Sequence, residues 1–387
     1  MFVVGAIVAS LTNARASVSA AAANTVLLMA AIVLATALHE AAHAGVAWAI
    51  GLHVHGIFLG RGRAVWQGEW CGIFLLLQVV PFTGITLLSA PSARWLRARL
   101  MATYAAGPLS NAALLACMMY WLATPDRERG LAISPSPLLA FAFANGALAF
   151  FSALPIPPTR PVHGRPLSPG TDGWNLLALP FRSDEELRPV VVANVLFEAQ
   201  RLMTAQELTK ARALLDDALG RSPRLLLARM LNADWFVAAE RWADAAKGLR
   251  AILADPLFEP AVGRAGVVLR SNNLAWADFM LDDPELLDEA DRHSSVALAA
   301  TPNDAALLGT RGAVLLARGD LVGAEEALLA SLARNPVTRN RALNSCCLAI
   351  LYARRGTLDA ARSALDEARA QDPACSLLSR AEAALVK

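Results

Sequence analysis

Near the N-terminus the chain reads His39-Glu40-Ala41-Ala42-His43, the H-E-x-x-H spacing. Residues four apart share one face of a helix, so both imidazoles can ligate a single zinc ion. Glu40, beside the first of them, is then positioned to act as general base on water at the metal. The motif lies in an apolar stretch that runs from residue 16 to about Ile50 with Glu40 as its only acid. A carboxylate in a membrane helix costs about 2.5–3.5 kcal/mol, which marks it as a functional residue. The longer zinc-protease form, with a Gly and a third His downstream, is absent, because Val46 and Ala49 stand at those positions. A third ligand must come from elsewhere. Glu69, within Trp66-Gln67-Gly68-Glu69-Trp70, is one candidate carboxylate. His53 and His55 alternate on an expected strand and could bind metal, although they read better as interfacial polar residues. His163 and His293 read as surface residues.

The elements that carry these residues are unusually apolar. The chain of 387 residues is 56% hydrophobic and only 18% charged, against roughly 25% charged in ordinary soluble domains. Four stretches lack formal charge: 16–39, 70–93, 100–125 and 130–159. A membrane-spanning helix needs about 20 apolar residues, and the pattern predicts spans over about 24–51, 100–123 and 135–154. In the remaining stretch Gln78, Pro81, Thr83 and Gly84 interrupt the run, and 53–68 reads as short strands with Gly turns. Residues 53–90 are therefore expected to form a strand-and-re-entrant element, which is tolerated at membrane depth only under cover of protein or water. Residues 2–11 lack the basic flank of a cleaved signal peptide, so 1–19 reads as a short surface segment. With three spans, Arg61, Arg63, Arg94, Arg97, Arg99, Arg160 and Arg165 fall on one side, and only Arg15, Arg127 and Arg129 on the other. The positive-inside tendency makes the first side cytosolic.

Four blocks in order over residues 24–180 resemble the site-2 protease family of intramembrane zinc metalloproteases. They are His39-Glu40-Ala41-Ala42-His43, Gly51-Leu52-His53-Val54-His55-Gly56, Ala106-Gly107-Pro108-Leu109-Ser110-Asn111, and Leu154-Pro155-Ile156-Pro157 followed by Thr171-Asp172-Gly173. The resemblance covers a little under half of the chain. It implies a three-helix core that cuts membrane-spanning substrates, with one zinc per chain held by His39, His43 and Asp172. It implies Glu40 as the base, and Asn111 near the active site as a helper for substrate or oxyanion. Topology agrees with that third ligand, since three spans return Asp172 to the cytosolic side, toward which the end of the first helix also points. The sequence departs from the family in two places: Ser152 stands where the family usually has Asn, and six prolines separate Leu154 from Asp172.

Residues 1–173 hold ten arginines and no lysine against five acids, a net of +5; the rest holds 25 bases against 28 acids, a net of −3. From about Glu185 the chain is helical and repetitive. Pro223, Pro256, Pro302, Pro336 and Pro373 recur at spacings of 33, 46, 34 and 37. Twelve residues before each stand Ala211, Asp244, Ala290, Ala324 and Ala361; five before stand Ala218, Ala251, Ala297, Ser331 and Ala368. A period near 34 with small residues at fixed offsets resembles tetratricopeptide repeats, and the second repeat fits worst. Stacked helix pairs offer a concave surface for a peptide or helix.

The expected fold is predominantly all-α: a polytopic membrane core over 1–182 with a strand-and-re-entrant element, then a cytosolic helical repeat solenoid over 183–387. Net charge of +2 and three tyrosines give no footprint for nucleic acid. Five cysteines without C-x-x-C argue against a disulfide framework or a thiolate zinc site and read as buried thiols. The function expected is an intramembrane zinc metalloprotease of a bacterial cytoplasmic membrane, contacting lipid and a membrane-protein substrate. Its repeats bind a protein or peptide partner that recruits substrate or regulates the enzyme. A membrane-anchored repeat adaptor without catalysis stays open as the alternative reading.

Overall fold

The computed structural model describes residues 18–123, 137–158, 170–335 and 337–386. The chain divides into two compact units, and the division falls after Glu198, inside a helix and later than the boundary at 182 drawn from the sequence. The segment 1–17 and most of the Pro-rich loop, with His163, lie outside the described residues, as do Asp126 and Glu128.

In the first unit α1 spans Val18–Ala49. It ends because Gly51, at φ 77°, takes the left-handed conformation that L side chains resist. The Leu52 amide then donates to Ala47 O at 2.8 Å and the Gly51 amide to Trp48 O at 3.1 Å, closing a Schellman end. The chain enters β1 (His53–Trp70), turns through Cys71 and Gly72 with φ of 51° and 78°, and returns as β2 (Ile73–Ser89). Two positive φ angles are what a two-residue hairpin turn of the I′ type demands. The strand expected over 53–68 is present, with Gly60 and Gly62 at positive φ, and the rest of the element expected over 53–90 is the return strand of this antiparallel hairpin. His53 pairs with Ser89 and Trp70 with Ile73, and Ile57 lies opposite both Thr86 and Leu75, so the ribbon doubles back on itself.

Helices α2 (Leu96–Leu122) and α3 (Pro137–Ala153) complete the bundle with α1. Between α1 and α3 the contact is small-on-small, Ala31 and Ala35 against Ala140 and Ala144, which lets backbones approach closely. Two helices are long and apolar enough to cross a membrane, Ala22–Ala49 and Leu96–Trp121. The third expected span is shorter: α3 has 17 residues, roughly 25 Å of helix. Large apolar side chains stand outward on all three, among them Val26, Trp48, Leu109, Tyr120 and Phe150. After α3 come the short α4 (Asp172–Ala178) and then α5 (Asp184–Thr204).

The second unit continues from α5 as antiparallel helix pairs: α6 (Leu208–Arg221), α7 (Leu226–Ala238) with α8 (Trp242–Leu253), α9 (Phe258–Leu281) with α10 (Leu287–Ala300), α11 (Ala305–Arg318) with α12 (Leu321–Arg334), α13 (Thr338–Arg354) with α14 (Leu358–Gln371), and α15 (Leu378–Val386). This half is a helical repeat domain built of successive helix pairs. Pro223, Pro302 and Pro373 stand two residues past the ends of α6, α10 and α14, and Ala211, Ala290, Ala324 and Ala361 are fully buried. In α8 the pattern slips by one: the buried residues are Ala245 and Ile252, not Asp244 and Ala251. The helix there ends three residues before Pro256, which is why this repeat fits the proline-aligned pattern worst. The following spacing of 46 holds the long α9, with a break at Gly263 where φ is 69°. Cys346, Cys347 and Cys375 are buried thiols as expected, whereas Cys71 and Cys117 are exposed.

Candidate metal centre

Helical spacing puts His39, Glu40 and His43 on the inward side of α1, each at least nine-tenths buried. His39 and His43 stand edge to face, ring centroids 4.7 Å apart. Asp172 begins α4, whose N-cap Thr171 accepts a hydrogen bond from the Trp174 amide and donates its hydroxyl to Leu154 O at the end of α3. Gly173 makes the approach possible, because a Cβ there would lie 2.0 Å from Ala153 O. The α4 start therefore brings the Asp172 carboxylate to the two histidines: Oδ2 lies 3.0 Å from His39 Nε2, Oδ1 lies 3.4 Å from His43 Nε2, and the two Nε2 atoms are 3.1 Å apart.

The outer hydrogen bonds decide what this cluster can hold. His43 Nδ1–H donates to Thr103 O at 2.6 Å, and a backbone carbonyl only accepts. His39 Nδ1–H donates to Asn111 Oδ1 at 2.5 Å. Both Nε2 lone pairs then face each other and a carboxylate with no proton between them. Convergent bare nitrogens and an anion are the donor set a cation requires. Ligand atoms at this spacing suit a tetrahedral zinc with ligands about 2.0–2.2 Å away. Gly107 leaves the room: a Cβ on it would lie 2.4 Å from His43 Nε2 and 2.5 Å from His39 Nε2. The residues present fit a zinc ion.

Glu40 lies beside the cluster. Thr86 on β2 donates its hydroxyl to Glu40 Oε2 at 2.7 Å, and the bare α-carbon of Gly84 is set so close that a Cβ would lie 2.2 Å from Oε1. The hairpin thus holds the expected base in place. Histidines, glutamate and Asp172 open on a cavity of about 440 Å³, also lined by Thr36, Thr103, Tyr104 and Ser152. The Thr36 hydroxyl is buried there without a protein partner. Ser152, at the position where the resemblance expects Asn, donates to Leu148 O at 2.7 Å.

Asn111 lies beside the cluster, where the resemblance implies it. It is fully buried, with its oxygen on His39 and its amide nitrogen donating to Asn145 Oδ1 at 2.7 Å. It stands behind His39, away from the cavity wall, and its contact is with that ring; the resemblance implies contact with substrate or oxyanion. The other sequence candidates lie apart. Glu69 sits near the exposed hairpin tip. His53 Nδ1 bonds Asn194 Oδ1 at 2.5 Å, His55 Nε2 bonds Ser89 Oγ at 2.6 Å, and the His55 ring stacks on Phe197. His293 lies 3.9 Å from Glu289 in the repeats. Sequence reasoning missed Thr103, Thr86 and Asn145, and had Gly107 only within the Gly-Pro block, without its part in the site. Of the three missed, only Asn145 carried a signal, as the one amide in the apolar run of α3.

A second cavity, of about 300 Å³, lies within the repeat unit among α7, α8, α9, α11 and α13. Trp242, Asn272, Trp276, Asn340 and Asn344 line it, and the buried Oδ1 of Asn272 has no protein partner.

No protein-family model and no curated protein matches the chain. Solved structures similar to it include two TPR proteins. A thermophilic TPR protein of Thermus thermophilus shares 23% identity over 51% of this chain and 100% of its own, with a TM-score of 0.38. YrrB, a TPR protein with an unusual peptide-binding site, shares 20% over 49% of this chain and 90% of its own, with a TM-score of 0.33.

Proposed function

We propose that the chain is a zinc metalloprotease of the site-2 protease kind, hydrolysing membrane-spanning substrates, with its repeat domain binding a protein or peptide. The observation that carries this reading is the convergence of His39 Nε2, His43 Nε2 and the Asp172 carboxylate around the bare α-carbon of Gly107, beside Glu40. Zinc bound there supplies a nucleophile at neutral pH and Lewis acidity toward a peptide carbonyl. The chain's own part is to hold and move protons. Thr103 and Asn111 keep the Nδ1 protons in place, which leaves both Nε2 atoms free to ligate. Glu40, steadied by Thr86, takes the proton of the attacking water and passes it to the leaving amine. The two long apolar helices, with large apolar residues outward, support residence in a membrane, and the arginine bias favours a cytosolic repeat domain at a bacterial cytoplasmic membrane. The asparagine-lined cavity of the repeats suits the main chain of a peptide partner.

The test is cleavage of single-span substrates in proteoliposomes by the parent and by Glu40→Gln. That substitution keeps size and both imidazoles while removing the base, and a loss of about 10²–10⁴-fold is expected. A parent that holds stoichiometric zinc and loses cleavage on Glu40→Gln sustains the proposal. A parent without zinc or cleavage leaves the membrane-anchored adaptor as the function.

A further inference from the structure

Three hydrogen bonds behind His39 form a one-way chain. Asn145 Nδ2–H donates to Phe141 O at 2.9 Å, the carbonyl one turn back on α3, and this acceptor cannot reverse its role. With its amide nitrogen so committed, Asn145 presents Oδ1 to Asn111, which must donate with Nδ2, at 2.7 Å. Asn111 is then turned so that its own Oδ1 faces His39 Nδ1 at 2.5 Å, and an oxygen there compels the ring proton onto Nδ1. Both asparagines are fully buried, so no water competes for these positions. His43 needs no such chain, since Thr103 O fixes its tautomer in one step.

We propose that Asn145 is a positioning residue for the metal centre. Resting on the zinc reading above, it sets the donor–acceptor polarity of Asn111 and thereby keeps His39 Nε2 bare for the metal. An asparagine amide can turn over at little cost in shape. Without Asn145, Asn111 can present its nitrogen to His39, move the ring proton to Nε2 and remove a ligand. Only the weaker contact of Asn111 Nδ2 to Ala35 O, at 3.4 Å, would then oppose the flip.

The experiment reads zinc affinity of the detergent-solubilised full chain by competition with a chelator, so it does not depend on cleavage. Asn145→Leu keeps size and suits an apolar helix; it should weaken zinc about 10-fold, the lower end of what outer-shell ligand partners contribute. Asn145→Ala repeats the test should leucine fail to pack. The deciding comparison is made in an Asn111→Asp background. A carboxylate only accepts, so it holds the Nδ1 proton without help and sets its other oxygen against Asn145 Oδ1, a second acceptor; there Asn145→Leu should not weaken zinc. An unchanged affinity for Asn145→Leu in the parent overturns the proposal. So does an equal loss in both backgrounds, which would mark a packing role. A parent that binds no zinc overturns the zinc reading itself, and the relay with it; the first two results overturn the relay alone.

Discussion

In the first unit three apolar helices bury His39, Glu40, His43, Thr103, Asn111 and Asn145 against one another. In the second, helix pairs bury Ala211, Ala290, Ala324 and Ala361 at one recurring offset, and the buried polar residues, among them Arg270, Asp278, Thr310 and Asn344, are spread over several helices. Burying unpaired polar groups costs several kcal/mol, so a cluster of them persists only where hydrogen bonds or a ligand satisfy it. Repetition of small residues, by contrast, satisfies stacking alone. On the proposed reading, chemistry belongs to the unit that gathers its buried polar groups into one cluster, and recognition to the unit whose interior is regular.

The same substitution made in each unit separates the two roles, and the largest effect is expected in the first. Gly107→Ala puts a methyl group where the ligands converge, 2.4 Å from His43 Nε2. Zinc content should fall from one per chain to near zero while the thermal transition of the repeats stays put. Gly312→Ala puts a methyl group 2.6 Å from Leu328 Cγ, between α11 and α12. Overpacking costs about 1–3 kcal/mol, of which about 1 kcal/mol is offset by helix propensity. A lowered melting temperature with zinc untouched is expected. Zinc lost on both substitutions, or on neither, would dissolve the distinction.

The ion pairs of the repeats predict a smaller effect with a definite sign. The Asp278 side chain is fully buried, with Oδ1 on Arg250 at 2.5 Å and Oδ2 without a partner. Burial raises its carboxyl from 3.8 to about 6, Arg250 opposing and Glu289 reinforcing the shift. The folded chain then binds more protons than the unfolded one between those values. Its contribution is favourable in acid and is lost as pH rises from about 4 to 6. Asp278→Asn should therefore gain stability relative to the parent across that interval, by at most about 3 kcal/mol at 1.36 kcal/mol per pK unit. Melting curves at pH 4.5 and 7.5 check it, and a variant that loses ground as pH rises would reverse the sign.

How much of this was legible depended on whether the signal was local. H-E-x-x-H needs only helical spacing, so His39, Glu40 and His43 could be read directly. The repeats could be read because proline punctuates each helix pair. Asp172 needed the topology of three helices, and its arrival depends on Gly173, whose importance lies in a contact with Ala153 O that no spacing reveals. Asn111 was identifiable as a position, but its role was not, since an amide reads alike whether it faces a substrate or a ligand's far nitrogen. The hairpin was underestimated because 73–77 is a continuous apolar run, and periodicity cannot tell such a strand from a helix.

The slipped repeat gives the smallest effect and tests the reading of the sequence most narrowly. Proline alignment puts Asp244 at the position that holds alanine in the other repeats, yet the core residue is its neighbour Ala245. Asp244 instead pairs with Arg241 at 2.6 Å, both side chains well exposed. Exposed pairs contribute about 0–1 kcal/mol, and an acid in the first turn of α8 adds a few tenths more through the helix dipole. Replacing it by alanine returns a similar amount through helix propensity. Asp244→Ala should therefore shift stability by no more than about 0.5 kcal/mol, read as a nearly unchanged denaturant midpoint. A gain of about 2 kcal/mol would mean that the aspartate is buried at the shared offset after all, and that proline, not helix length, sets the register of every repeat.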